Sequence, residues 1–409
     1  MLGVLLVPGR ASAYSVLTHE AIVDELWETS IVPLLRAKFH SSDEDLQHAR
    51  AYAYGGCMIQ DIGYYPFSSR TFGDLAHYVR TGDFVMNLLD EARDANEYAF
   101  ALGALVHYAA DTIGHPVGIN VSVPLSYPKI GAKLGPVVTY EQDPTAHLRT
   151  EFGFDVIQVA RGLYTAQKYR AFIGFEVSKP VLERAFLKTY GSALSDHFAS
   201  LDLAIGTFRR VVSTIIPTMT KIAWETKRAE IERMAPDISR DRFILNLTRR
   251  DYEQQWGTTY QKRKKLHAAL AGLLRIMPRV GPFKVLSFRP PSVEAEKHFL
   301  DSVDQTLIEV RSRMAEVSRD QLRLPNLDFD TGRPSKAGEY RLADESYAGL
   351  LHRLTTHHFE GVTPSLRANI LAFYSSLSAP AGDERDRKDR VRLQGELAAL
   401  KQFAPALAR

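Results

Sequence analysis

The chain has 409 residues, 45% hydrophobic and 24% charged, with a formal net charge of +3. That composition belongs to a folded chain able to form one large domain or two, and so small a charge excludes a purely electrostatic coat for nucleic acid. The single cysteine, Cys57, excludes an intrachain disulfide and a thiolate zinc cluster, so any metal must take nitrogen and oxygen ligands from the 13 His and 48 acids.

The first residues contain a short apolar run, Val4-Leu5-Leu6-Val7, followed by the A-x-A site Ala11-Ser12-Ala13. Residues 1–13 read as the remnant of an export signal, implying a secreted or periplasmic protein. No positive charge precedes the apolar run, which leaves a frayed apolar end as the alternative. Residues 18–37 follow a 3.6-residue period. Ser42 reads as an N-cap and Asp43-Glu44-Asp45 as an acidic first turn, opening a helix to about Ile59. Residues 97–112 are apolar around most of the helical circumference, so they predict a buried central helix. The valine- and proline-containing segment 118–140 predicts an irregular stretch or hairpin. Asp143-Pro144 is a cap followed by proline at the first helical position, launching a helix that carries His147 and Glu151.

A long helix is expected over 195–233, kinked at Pro217, with more helices around 250–276, 292–318, 340–376 and 385–402. The stretches 278–291 and 325–338 read as hinges. In the second, Asn326, Asp328, Asp330 and Gly332 resemble a calcium loop with its glycine one place late and no acid in the twelfth position, so a surface turn is expected. No run of 18 apolar residues occurs, and no membrane-spanning helix is expected. The fold class is all-α. Residues 14–240 are expected to form one helical domain and 241–409 a helical C-terminal region whose role the pattern leaves open. Between Arg240 and Arg289 twelve Lys or Arg face three acids. This basic stretch is either a peripheral contact with an anionic membrane or an ordinary solvated face.

The chemistry concentrates in the first 151 residues. His107 and Asp111 are four apart, as are Asp111 and His115, and His147 and Glu151. Four residues is just over one helical turn, so each pair shares a face. An imidazole beside a carboxylate is a half-site for zinc. On an unbroken helix His107 and His115 would stand about 12 Å apart, too far for one ion. Gly114 and Pro116 are expected to end the helix near His115. His107 and Asp111 then hold one ion, and His115 a second, joined by His147 and Glu151. His19, Asp61 and His77 complete the candidate set. Each has a plainer alternative: His107–Asp111 as a buried ion pair, Asp61 as a turn former, His77 as a helix-terminal residue.

In order along the chain, Tyr14-Ser15-Val16-Leu17-Thr18-His19, Gln60-Asp61, His77, His107-Tyr108-Ala109-Ala110-Asp111, His115 and His147-Leu148-Arg149-Thr150-Glu151 resemble the zinc-dependent phospholipase C family and its relatives, the zinc-dependent single-strand nucleases. The resemblance implies a mostly helical fold and up to three zinc ions. It implies that Asp61, His77, His107 and Asp111 surround one ion, and that His115, His147 and Glu151 hold a second. His19, Asp111 and the mature N-terminus would hold a third, with Tyr14 supplying the amine after cleavage behind Ala13. Better-known members carry Trp at that N-terminus and five residues between the Asp and the next His, where this chain has three. Asp61 is the implied catalytic residue, as ligand or general base.

The expected activity is hydrolysis of phospholipid headgroups by water activated at a multinuclear zinc site. The alternatives are a single-strand nuclease, with Tyr64, Tyr65 and Phe67 as stacking platforms, and a non-catalytic metal-binding protein of the same fold. Glu151 favours the phospholipase, because the nucleases usually carry Asp there. The Tyr14-to-His19 spacing points toward the nucleases.

Overall fold

A computed structural model of the chain describes residues 14–162, 164, 166–245, 288–376 and 384–405. Among them there is no strand; helices and helical turns carry the fold, which is all-α as the periodicity predicts. The expected signal remnant 1–13, the helix expected at 250–276 and most of the basic stretch 240–289 lie outside the described residues.

The first helix, Val16–Leu26, runs through a π turn at Trp27–Ile31 into Val32–Phe39. Ser42 then caps Asp43–Gly56 through a reciprocal box. Asp45 N donates to Ser42 Oγ (3.2 Å) while Ser42 N donates to Asp45 Oδ2 (2.9 Å). The central helix is Ala95–Ile113, capped by Asp94 and buried from Glu97 to Thr112. It lies against Asp43–Gly56 with almost no space between backbones. A Cβ on Gly103 would sit 2.1 Å from Ala53 O, and one on Gly56 would sit 1.9 Å from Phe100 O. Only glycine permits that approach.

Three expectations are corrected. Residues 118–140 form no hairpin. A π turn (Gly114–Ile119) leads into the short helices Asn120–Ser126 and Pro128–Leu134. Burial of Asn120 and Val123 overrides the valine propensity, and Pro128 sits at a first helical position, where its missing N–H costs nothing. The helix expected from 195 starts at Leu201 behind the Ser200 cap, and its non-helical residue is Lys227 (φ −127°) rather than Pro217. The π turn Val211–Ile215 just before Pro217 absorbs the hydrogen bond that proline cannot make. The helix expected over 340–376 is two, Arg341–Thr356 and Pro364–Phe373, interrupted by left-handed backbone at His358, Phe359 and Gly361.

Apolar side chains from both sides of residue 240 share one contiguous core. The long helix Val293–Ser318 lies on the central helix and on the π turn that follows it. Phe299 stacks on Phe154 at 4.4 Å between ring centroids. The hydroxyls of Ser302 and Tyr14 are 2.7 Å apart. Phe288, in the stretch read as a hinge, is buried against Phe152. Among the described residues no helix is long and apolar enough to cross a membrane.

Candidate metal centre

The central helix places His107 and Asp111 one turn apart, with His107 Nε2 3.1 Å from Asp111 Oδ2. Three other elements converge on that carboxylate. The first helix brings His19 Nε2 to 3.4 Å from Asp111 Oδ1 and stacks its ring on that of His107 at 4.5 Å. Helix Arg70–Tyr78 brings His77 Nε2 to 3.6 Å from Asp111 Oδ2 and 3.4 Å from Asp61 Oδ1. Asp61 itself rides on the 3₁₀ turn Gln60–Tyr64. One oxygen of Asp111 thus faces His19 and the other faces His77 and His107, the position of a bridge between two ions. All five side chains are buried.

Backbone carbonyls fix the tautomers. His107 Nδ1 donates to Cys57 O and His77 Nδ1 to Gly73 O, each at 2.8 Å. Both Nε2 atoms are therefore turned to the cluster, where a cation replacing their proton would find a lone pair, the outer-shell arrangement of histidine ligands. Charge-assisted hydrogen bonds run about 2.7–2.9 Å. The Nε2–carboxylate contacts, at 3.1–3.6 Å, are longer. They match the edge, roughly 3.3 Å, of a tetrahedron built on zinc bonds of about 2.0–2.1 Å. His77 Nε2, His107 Nε2 and Asp61 Oδ1 are buried without any hydrogen-bond partner. Such atoms are costly to bury unless a cation takes their lone pairs. The residues therefore fit zinc.

The second cluster is His115, His147 and Glu151, whose donor atoms all lie within 4.8 Å of one another. As expected, the α-helix ends just before His115, at Ile113 with Gly114 as its C-cap, and Gly114 and Pro116 lie in the π turn that continues the chain. The His115 and His147 rings stack at 5.0 Å. His147 Nδ1 meets Glu151 Oε1 at 2.7 Å, and its Nε2 meets Asn120 Oδ1 at 2.9 Å. The two groups, Asp61–His77–His107–Asp111 and His115–His147–Glu151, are the two sets that the sequence paired. Tyr14 has its side chain buried near His19; its expected role through a free amine depends on cleavage behind residues outside the described set.

The charges oppose each other. Burial works against charging His77, yet the carboxylates of Asp111 and Asp61 push it up to about 10. Burial likewise disfavours the Asp111 anion, but His107, His19 and His77 hold its carboxyl well below the usual range. At the second cluster burial dominates, lowering His147 and His115 and raising Glu151 well above an ordinary carboxylate. A divalent cation would reverse that last effect.

Beside the centre, Asp155 accepts from Thr18 Oγ1 at 3.0 Å, and burial raises its pKa from 3.8 to about 7. An acid raised on folding stabilises the fold only while protonated in both states. Stability is lost as pH climbs from about 4 to about 7. Asp155→Asn is expected to be more stable than the parent by a few kcal/mol above pH 7 and to lose that advantage by pH 4. Urea midpoints of both proteins across this window, after chelation, provide the measurement; parallel curves would contradict the assignment.

One segment that the sequence placed at the surface belongs to the site. Asp328, Phe329 and Asp330 are all buried. Phe329 N donates to His77 O at 3.1 Å, and its ring lies 5.1 Å from His77 and 5.9 Å from His107. Asp330 Oδ1 is 3.4 Å from His115 Nε2. Gly332 (φ +67°) lets the turn close, for a Cβ there would sit 2.4 Å from Thr112 O. Polar alternation suggested exposure, but the segment is held at both ends: Tyr108 OH donates to Pro325 O (2.8 Å), and Asn120 Nδ2 to Asp330 O (2.7 Å). The intervening Phe329 was the one local sign of burial. Asn120 was also missed, having no acid or histidine beside it in sequence.

Residues 18–200 match the family model for zinc dependent phospholipase C. No curated protein and no solved structure matches the chain. The matched span holds His19, Asp61, His77, His107, Asp111, His115, His147 and Glu151, all buried at or beside the two clusters, and over that span the chain is similar to the zinc-dependent phospholipase C family.

Proposed function

We propose that this protein is a zinc-dependent phosphodiester hydrolase acting on phospholipid headgroups. The observation that carries the reading is the convergence of eight buried histidines and acids on the shared carboxylate of Asp111 and the neighbouring His115–His147 pair. Zinc ions bound there would neutralise a phosphodiester's charge and bring the pKa of a water toward 7. The chain's own groups divide the remaining work. Asp111 spaces His19 from His77 and His107. Asp61, with Oδ1 free of hydrogen bonds, accepts a proton from the attacking water or ligates the ion that orients it. Tyr64 lies against the His77 ring at 5.1 Å. Its hydroxyl is buried without a partner, and burial keeps it protonated, so it is a donor for a phosphate oxygen.

Glu151, where the nuclease relatives usually carry Asp, favours a lipid over a nucleic acid. Tyr64 and Tyr65 are largely buried, and Tyr65 stands edge-on to Phe208 at 4.5 Å, an arrangement for packing rather than base stacking. Phe67 alone of the three is well exposed. The basic stretch 240–289 is proposed as a peripheral contact with anionic lipid, and export with cleavage behind Ala13 as the source of a third ion's amine.

The test is an assay of the purified mature protein on phosphatidylcholine, a simple phosphodiester and single-stranded DNA. Release of phosphocholine, abolished by chelator and restored by zinc, is the expected result. Cleavage of DNA alone would make it a nuclease, and zinc without turnover on any substrate would make it a binding protein.

A further inference from the structure

Asp330 lies 130 residues beyond the end of the family match at residue 200, on the segment that reaches back over the site. Its Oδ2 is occupied, accepting from Tyr78 OH at 3.0 Å and from Tyr340 OH at 2.5 Å. Its Oδ1 points the other way, to His115 Nε2 at 3.4 Å. That nitrogen is fully buried and has no hydrogen-bond partner. The other nitrogen of His115, Nδ1, is the one that meets His147 Nε2, also at 3.4 Å.

The same arrangement occurs twice at the first cluster. His77 and His107 each commit Nδ1 to a neighbour and turn an unpartnered Nε2 toward a carboxylate, Asp61 at 3.4 Å and Asp111 at 3.1 Å. His115 with Asp330 is a third unpartnered Nε2 turned to a carboxylate, at a spacing of 3.4 Å, although its Nδ1 meets an imidazole nitrogen rather than a backbone carbonyl. That spacing is the edge of a zinc coordination shell rather than the length of an imidazole–carboxylate hydrogen bond. Two tyrosine hydroxyls and the docked backbone hold Asp330 in one place without using the oxygen that faces His115, which is how a ligating carboxylate is oriented from its outer shell.

We propose that Asp330 is a metal ligand, donating Oδ1 to a divalent cation held by His115 Nε2, on the side of the ring away from His147, so that the C-terminal region contributes a ligand beside the second cluster. The proposal rests on the metal-centre reading of the function. It also gives residues 241–409 a role, because without the docked 325–333 turn His115 would face a gap in its coordination shell. An oxygen donor at this position suits zinc, and equally manganese or another borderline divalent ion.

Crystals of the wild-type chain grown with zinc, with anomalous data collected at the zinc edge, decide the matter without any variant. The expected map places an ion within about 2.0–2.2 Å of both Asp330 Oδ1 and His115 Nε2. In parallel, Asp330→Asn, checked for cooperative unfolding, should lose one equivalent of zinc per chain by elemental analysis while the Asp61–His77–His107–Asp111 ion remains. Zinc at both clusters with Asp330 outside bonding distance, or an Asp330→Asn protein with full zinc content, overturns this proposal and leaves the hydrolase reading intact. A wild-type protein that takes up no zinc at either cluster overturns both.

Discussion

Asp111→Ala is expected to strip zinc from the protein and to lower phosphodiester hydrolysis by at least about a thousandfold, about 4 kcal/mol of transition-state stabilisation at 1.36 kcal/mol per decade. The size follows from geometry. Among the described residues, the Asp111 carboxylate is the only group that reaches three imidazoles at once: His19 on one oxygen, His77 and His107 on the other. Removing a ligand that serves a single ion costs that ion. Removing the bridge would cost the affinity of both ions it joins and leave Asp61 as the carboxylate beside His77. Elemental analysis of the dialysed variant, together with the phosphatidylcholine assay, measures the two effects separately. His107→Ala is the informative comparison, because it removes one ligand of one ion. If Asp111→Ala keeps the zinc content of the parent, the carboxylate is part of a buried ion pair and the bridging role is wrong.

The four-spaced candidates of the matched span were readable because helical spacing turns sequence into direction, whereas His19, Asp61 and His77 came only from the ordered resemblance. His107–Asp111 and His147–Glu151 each had to project from one face whatever the rest of the chain did, and the cap at Asp143 marked where the second of those helices begins. What lay hidden depended on distance along the chain. Asp330 acts on a residue 215 positions earlier, and nothing local distinguishes a turn docked over a metal centre from one in solvent. The 118–140 segment failed for a related reason. Its valines have strand propensity in isolation, yet short helices let Asn120 reach His147 and Asp330 together, and tertiary contacts decide such weak preferences. Pro217 was visible, but a π turn five residues long was not, because it is set by how the helix must drift over its neighbours.

A valine at Gly103 should be as damaging as the loss of a ligand, although it touches no metal. The central helix and Asp43–Gly56 meet through their glycines, and a Cβ at Gly103 would penetrate Ala53 O at 2.1 Å with Cys57 N only 2.9 Å away. Neither obstacle is a flexible side chain, so one helix must move bodily. A branched side chain forced into such a contact is expected to cost at least about 3 kcal/mol, the upper end for overpacked cores. The displacement also falls where the site is anchored. Cys57 O holds His107 Nδ1 at 2.8 Å, and it sits at the end of the helix that Gly103→Val pushes outward. Zinc affinity should therefore fall together with stability, and added zinc should recover part of both, since binding to the native state stabilises it by mass action. Gly349→Ala provides the contrast: its Cβ meets nothing within 4 Å on an exposed helical face, and it should gain about 0.5–1 kcal/mol. Denaturant midpoints of both variants, with and without zinc, test the argument. A Gly103→Val protein with the parent's midpoint would mean that the two helices do not touch through these glycines, and that the carbonyl orienting His107 is held by something else.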